Sequence, residues 1–282
     1  MRWAELQIEA GVGASDAVGF ALEQAGCQGF AVLDTAQPPS VAGYLPVDDR
    51  LETRLEMLKN ALAALPSYGV EGAGIDITLR YVEEADWANA WKAFYKPMRV
   101  GRRLLVTPPW ESPQLAPDDI PLIIDPGMAF GTGSHPTTQL CLEALEDVVR
   151  SGYAVADIGT GSGILAIAAS KLGAAPVVAT DIDPLAVKIA HENAQINGAN
   201  VQVQEPLPQG VYDVVVANIL ADVVVGLSQT LASLTGGTLI ASGIIDTRAE
   251  DVRATLQSVG FDAIEMRNSG EWVALICRRG AS

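Results

Sequence analysis

Cysteine is scarce: three in 282 residues, Cys27, Cys141 and Cys277, far apart and without paired spacing. That excludes a disulfide framework and a thiolate zinc site, and reads all three as packing residues in a reducing cytosol. No metal is expected. Long apolar runs are missing too: nothing approaches the roughly 18 consecutive apolar residues of a membrane span, and the opening Met1-Arg2-Trp3-Ala4-Glu5 lacks a signal-peptide pattern. A soluble, unexported, cytoplasmic protein is expected. Basic residues are the third scarcity, 18 against 34 acidic, for a formal net charge of −16. This balance repels nucleic acid at long range and attracts a basic partner. Acidity equally serves to keep a chain that is 49% hydrophobic in solution, and both readings stand.

What is present centres on Asp157-Ile158-Gly159-Thr160-Gly161-Ser162-Gly163, between the apolar run 153–156 and the alternating apolar and small residues 164–169. This is the pattern of a buried strand, a glycine turn and a buried helix. Glycine opens backbone conformations closed to other residues and lets a ligand approach the main chain. The spacing is G-x-G-x-G, not the G-x-G-x-x-G of dinucleotide sites, and it fits a nucleoside better than a pyrophosphate. A second apolar run, 176–180, ends at Asp181, 22 residues beyond Gly159, where an acid at the tip of the second strand holds ribose hydroxyls.

The length suits two domains. Residues 3–10 alternate in the strand period, 15–25 read as an amphipathic helix, and 29–34 as a second strand. A Pro-rich loop is expected through Pro38, Pro39 and Pro46, then a helix over 49–65 and a strand over 75–82. The sum is a small α+β domain of ferredoxin-like type, residues 1–82, with one strand unclear. Residues 83–97 read as a linker helix that starts with carboxylates and stops at Pro97. Trp87, Trp91 and Phe94 share one of its faces, more simply for packing than for recognition.

Residues 98–282 form the second expected domain. Strands are read at 102–106 and 122–124, and a turn-rich segment, 125–138, leads into a helix over 139–149. Beyond Asp181 come a helix over 184–197, strands at 201–203 and 211–217, a helix from about 220, a strand at 237–245, a helix over 247–259 and a closing hairpin. The strand at 211–217 delivers Asn218-Ile219-Leu220-Ala221 to the carboxyl edge of the sheet, where ligands bind. His135 reads equally as a loop cap or as a functional residue. Thr138 either supports the first helical turn or touches a cofactor. Asn218 either caps the helix near Leu220 or orients an incoming nitrogen, its amide oxygen accepting hydrogens without adding a full charge.

The glycine turn with Asp181 resembles class I S-adenosylmethionine-dependent methyltransferases. Taken together, residues 130–138 (Phe-Gly-Thr-Gly-Ser-His-Pro-Thr-Thr), 157–167, 181–184 (Asp-Ile-Asp-Pro) and 218–221 (Asn-Ile-Leu-Ala) resemble the bacterial ribosomal protein L11 methyltransferases, over nearly the full length. The resemblance implies an α/β fold: a Rossmann-like methyltransferase domain with a seven-stranded, mostly parallel sheet, preceded by a small substrate-recognition domain. It implies methyl transfer from S-adenosyl-L-methionine to the α-amine and lysine side chains of ribosomal protein L11. By position in these motifs, Thr138, Gly159, Gly161, Asp181, Asn218, Phe130 and Gly131 are the expected cofactor-binding residues, with Asn218 also orienting the acceptor amine. A base-modifying methyltransferase would carry Asn-Pro-Pro-aromatic where this chain has Asn-Ile-Leu-Ala, so no aromatic stands there to stack a flipped base. The glycine spacing argues against an NAD-dependent dehydrogenase, and the intact motifs against a non-catalytic assembly factor. Nothing demands more than a monomer.

Overall fold

The structure is a computed structural model that describes residues 2–11, 14–27, 30–33, 39–68, 70, 73–83, 95–125 and 133–279. Among these, two compact units form, one from residues up to 96 and one from 97 onward.

The first unit runs β1 (Arg2–Ala10), α1 (Ser15–Gln24), β2 (Phe30–Leu33), β3 (Ser40–Pro46), α2 (Leu51–Ala64) and β4 (Ala73–Glu83). Its antiparallel sheet has the order β2-β3-β1-β4, the arrangement of a split βαββαβ unit. Period-2 alternation sends Ala4, Leu6, Ile8 and Ala10 of β1 into one core with Val18 and Leu22 of α1 and Leu58 and Leu62 of α2. The expected Pro-rich loop is corrected here: residues 40–46 are a central strand, paired with both β1 and β2. Pro39 precedes this strand and Pro46 ends it, so neither proline removes an interior ladder bond. Glu83, read as the start of the linker helix, is the last residue of β4. The rest of that helix, with Trp87, Trp91 and Phe94, lies outside the described residues.

The second unit opens with a small sheet of β5 (Met98–Val100), β6 (Leu104–Thr107) and β7 (Ile120–Ile123). β5, three residues long, escaped the sequence reading. The turn between β5 and β6 is fastened to α3 (Pro136–Val148) by Glu146, whose side chain is only 1% exposed. Its carboxylate accepts the Arg102 and Arg103 backbone N–H groups at 2.7 and 3.0 Å and Arg103 Nε at 3.2 Å.

The main sheet contains β8 (Val155–Ile158), β9 (Val177–Thr180), β10 (Gln202–Gln204), β11 (Tyr212–Asn218), β12 (Thr235–Ile245), β13 (Ala263–Ser269) and β14 (Trp272–Arg278). The order is β10-β9-β8-β11-β12-β14-β13, with only β14 running antiparallel to its neighbours. Alternate residues of β11 face opposite layers: Val214 and Val216 pack with α3 and α4 (Ile164–Lys171), Val215 and Ala217 with α7 (Ser228–Leu234) and α8 (Asp246–Ser258). α5 (Pro184–Ile196) follows β9. The single helix expected near residue 220 is two short ones, α6 (Ala221–Gly226) and α7, meeting at Leu227. The chain winds outward from β8 to β10, then returns to β11 on the other side of β8. The carboxyl ends of β8 and β11 therefore flank a topological switch point, where such sheets bind ligands.

Candidate active site

Asp157 sits inside β8, not in the turn beyond it, and is fully buried. Its Oδ2 accepts the Thr160 hydroxyl at 2.6 Å and the Ala166 N–H at 3.1 Å. Its Oδ1, also buried, finds no hydrogen-bond partner among the described residues. Desolvation pushes this carboxyl up to about 7; the bonds from Thr160 and Ala166 oppose the rise and the charge of Asp181 adds to it.

The turn that follows is tied to the neighbouring strand. Gly159 and Thr160 both donate backbone N–H to the Thr180 carbonyl, at 2.8 and 2.9 Å. Gly161 N–H reaches Asp181 Oδ2 at 2.9 Å, while Asp181 Oδ1 accepts Asp183 N–H at 3.0 Å. Each Asp181 oxygen keeps a further lone-pair site. Gly159 and Gly161 hold φ of +75° and +52°, the left-handed region that glycine enters without cost. A Cβ on Gly159 would collide with Ile219 Cγ2, so the turn and the end of β11 are packed against each other. Asn193 of α5, buried, donates to the Ser162 carbonyl at 2.8 Å. Sequence reasoning missed this residue; its signal is a polar side chain on the apolar stripe of Ile189, Ala190 and Ala194.

At the tip of β11, Asn218 Nδ2 lies 3.4 Å from Thr138 Oγ1, and Asn218 Oδ1 is buried with no partner among the described residues. Asn218 is not a helix cap: α6 begins at Ala221 with Leu220 as its N-cap. Thr138 is fully buried in the first turn of α3. His135 is the N-cap of that helix, its Nδ1 accepting Thr137 N–H at 3.3 Å, and its ring meets Trp272 edge-on at 4.9 Å. The capping and the packing read for His135 are both present. Ile219 N–H donates to the Ser242 carbonyl at 3.1 Å, and Gly243, at φ +81°, lets β12 close against the Ile219 backbone. The structure therefore joins Gly159, Gly161 and Asp181 in one hydrogen-bonded group and Thr138 with Asn218 in another, with Ile219 between them. Phe130 and Gly131 lie outside the described residues. Ile182 and Leu220, 97% and 73% exposed, stand next to Asp181 and beyond Asn218.

The model of one protein family, described as "Ribosomal protein L11 methyltransferase (PrmA)", matches residues 2–280. The chain belongs to that family. It is 48% identical over 248 residues to the ribosomal protein L11 methyltransferase of Pelotomaculum thermopropionicum, covering 85% of this chain and 79% of that one. To the ribosomal protein L11 methyltransferase of Symbiobacterium thermophilum it is 41% identical over 304 aligned residues, covering 99% and 100%. The crystal structure of a ribosomal protein L11 methylase from Lactobacillus delbrueckii subsp. bulgaricus superposes with a TM-score of 0.63 at 37% identity, over 66% of this chain and all of that chain. The larger unit of this L11 methyltransferase family member has the class I methyltransferase fold, with the glycine turn and Asn218 on either side of the switch point.

Proposed function

We propose that this chain transfers methyl groups from S-adenosyl-L-methionine to amino groups of ribosomal protein L11, its α-amine and lysine side chains. The observation that carries this reading is the pairing of two features on adjacent strands: a glycine turn locked to Asp181, and beside it a buried amide oxygen awaiting a donor.

The residues fit the methyl donor. Asp181 keeps acceptor sites for ribose hydroxyls, the positive φ of Gly159 and Gly161 shapes the turn beside it, and Ile182 offers an apolar side chain to a flat base. Thr138 and Asn218 close the other side, and Phe130 and Gly131 belong to the same set by motif. When bound, S-adenosylmethionine supplies a methyl group on a sulfonium that is already a good leaving group. The protein's share is then mainly positioning.

The acceptor must arrive as a neutral amine. Deprotonating a lysine of ordinary pKa ~10.4 at pH 7 costs roughly 4.6 kcal/mol, whereas an α-amine near 7.7 costs about 1 kcal/mol. Asn218 Oδ1 accepts one amine hydrogen and aims the nitrogen lone pair without introducing a charge. A buried unpartnered acceptor costs ~1–3 kcal/mol, and the incoming N–H relieves that cost where the reaction occurs.

In the wider division of labour, residues 1–82 recognise the substrate protein, 83–97 link the two parts, and 98–282 carry the chemistry. The acidic balance suits a basic protein partner better than nucleic acid. No helix among the described residues is long and apolar enough to cross a membrane, and a monomer working in the cytoplasm completes the reading. The test is incubation of the purified chain with S-adenosylmethionine and unmethylated L11, followed by intact-mass measurement and fragmentation. Stepwise methyl additions at amines are expected. No addition, with cofactor binding confirmed separately, moves the search to other basic proteins or RNA.

A further inference from the structure

We infer that Asn193 is a positioning residue: its side-chain amide, reaching in from α5, holds the Ser162–Gly163 peptide so that the glycine turn is set for S-adenosylmethionine before the cofactor arrives. The inference rests on the reading of that turn as the cofactor site.

A glycine at positive φ is free to let its preceding peptide turn over, because no Cβ opposes either arrangement. Gly163, at φ +84°, is such a residue and closes the turn. The N–H and C=O of a trans peptide point in opposite directions, so the Ser162–Gly163 unit needs a partner on each side. On one side Gly163 N–H bonds the Thr160 carbonyl at 2.9 Å; on the other, Asn193 Nδ2 donates to the Ser162 carbonyl at 2.8 Å. A carbonyl only accepts, so the end of the Asn193 amide that faces it is the NH2. Reversing the peptide breaks both bonds and sets the Ser162 oxygen towards that of Thr160.

Asn193 is braced for this task. A Cβ on Gly163 would lie 3.1 Å from Ala190 Cα, so the backbone of α5 abuts the turn, and Asn193, buried on the same face of the helix, spans the gap with a short side chain. One helical turn further on, Asn197 Nδ2 bonds the Asn193 carbonyl at 2.9 Å and the Ile123 carbonyl at 2.7 Å, while Asn197 Oδ1 accepts Ile123 N–H at 2.8 Å. This end of α5 is thereby fastened to β7. Gly159, Thr160 and Gly161 are held from the end of β9, by the Thr180 carbonyl and Asp181. Asn193 adds the hold from α5, and because it sits behind the turn it keeps its bond with or without a ligand.

The test compares Asn193→Leu, which fills the space without a donor, with Asn193→Ala, which empties it. The readouts are calorimetric S-adenosylmethionine affinity, steady-state methyl transfer to L11, and backbone amide exchange without cofactor. Both variants should bind S-adenosylmethionine about tenfold more weakly, which is about 1.4 kcal/mol and the scale of one buried hydrogen bond. KM for S-adenosylmethionine should rise by the same factor while kcat at saturation stays within about 2-fold, because the bound cofactor restores the turn. Exchange at Gly163 should quicken about tenfold relative to the β11 amides, which follow global unfolding. Exchange that rises in step at Gly163 and β11, with affinity within about 2-fold of the parent, would make Asn193 merely structural and overturn the proposal. So would a loss in Asn193→Ala alone, which belongs to volume and not to the amide. Should Asn193→Leu not fold, Asn193→Val replaces it. A parent chain that binds no S-adenosylmethionine overturns the cofactor site itself, whereas normal parent binding with an unmoved Asn193→Leu affinity overturns this proposal alone.

Discussion

Replacing Asp157 by asparagine keeps the shape of the side chain and an oxygen for the Thr160 hydroxyl and the Ala166 N–H, but removes the ionisable group. In the native protein this fully buried carboxyl is pushed up to about 7, first by desolvation. In the unfolded chain it titrates near ~3.9. Between about pH 4 and about pH 7 the native state therefore holds a proton that the unfolded state has lost. Stability from this group is complete below about pH 4, is lost as pH rises through the folded value, and changes little beyond it. At about 1.4 kcal/mol per pH unit, halved where the native carboxyl is half ionised, the stretch from about pH 5 to about pH 7 removes roughly 2 kcal/mol. The asparagine variant lacks that loss. Urea unfolding of both proteins, followed by circular dichroism at pH steps from about 5 to about 8, should show the variant's stability relative to the parent rising by roughly 2 kcal/mol, then levelling off. A difference that stays flat across the series would mean that Asp157 is ionised throughout, and would refute the assignment of a desolvated, proton-holding carboxyl beneath the glycine turn.

Gly159→Ala forces an L residue to φ +75° and drives its Cβ into Ile219 Cγ2. The strain of ~1–2 kcal/mol alone should weaken calorimetric S-adenosylmethionine affinity about tenfold. Glu146→Ala strands the Arg102 and Arg103 N–H groups in a site where the carboxylate was 1% exposed; a loss of about 3 kcal/mol in urea unfolding is expected, and a loss below about 1 kcal/mol would mean water replaces the carboxylate. Under chemistry-limited conditions, raising pH from about 7 to about 9 should speed lysine methylation roughly 100-fold but α-amine methylation only about 6-fold, following the neutral fraction of each amine. Equal profiles, read by site-resolved mass spectrometry, would show that the site sets the amine's protonation itself.

The parts of the site that the sequence announces are those whose chemistry is local. A turn that needs positive φ at Gly159, Gly161 and Gly163 must write glycine at each, and an acid ending a buried strand is visible as Asp181 after Val177–Thr180. Most of the main strands were legible for the same reason, as apolar runs between turn residues; β10 (Gln-Val-Gln) and β13 were read from shorter patterns. β3 was not, because Pro39 and Pro46 read as breakers until their places at the strand's ends are known. Asp157 could be read as part of a motif but not as a titrating group, since its desolvation comes from packing that the motif does not contain. Thr138 and Asn218 were each identified singly. Their hydrogen bond was not, because it spans 80 positions and depends on where α3 crosses the end of β11.

Among the described residues, two buried side-chain oxygens lack partners, and they stand on β8 and β11, adjacent strands that pair Asp157 with Val216. Other buried groups are met, although Arg253 Nε of α8 is also buried without a partner among the described residues: Glu146 accepts from two peptides and an arginine, and Asn197 both donates to and accepts from the backbone of Ile123. A sequence able to satisfy those groups is able to satisfy two more, by leucine or by an added donor. That it leaves Asp157 Oδ1 and Asn218 Oδ1 short, on either side of the switch point, places the local conflict where ligands bind in such sheets. For Asn218 the proposed function supplies the missing donor, an amine hydrogen that arrives with the substrate. For Asp157 no substrate atom is required, because a proton on the carboxyl lowers the same cost, and the titration of Asp157 therefore separates the two cases.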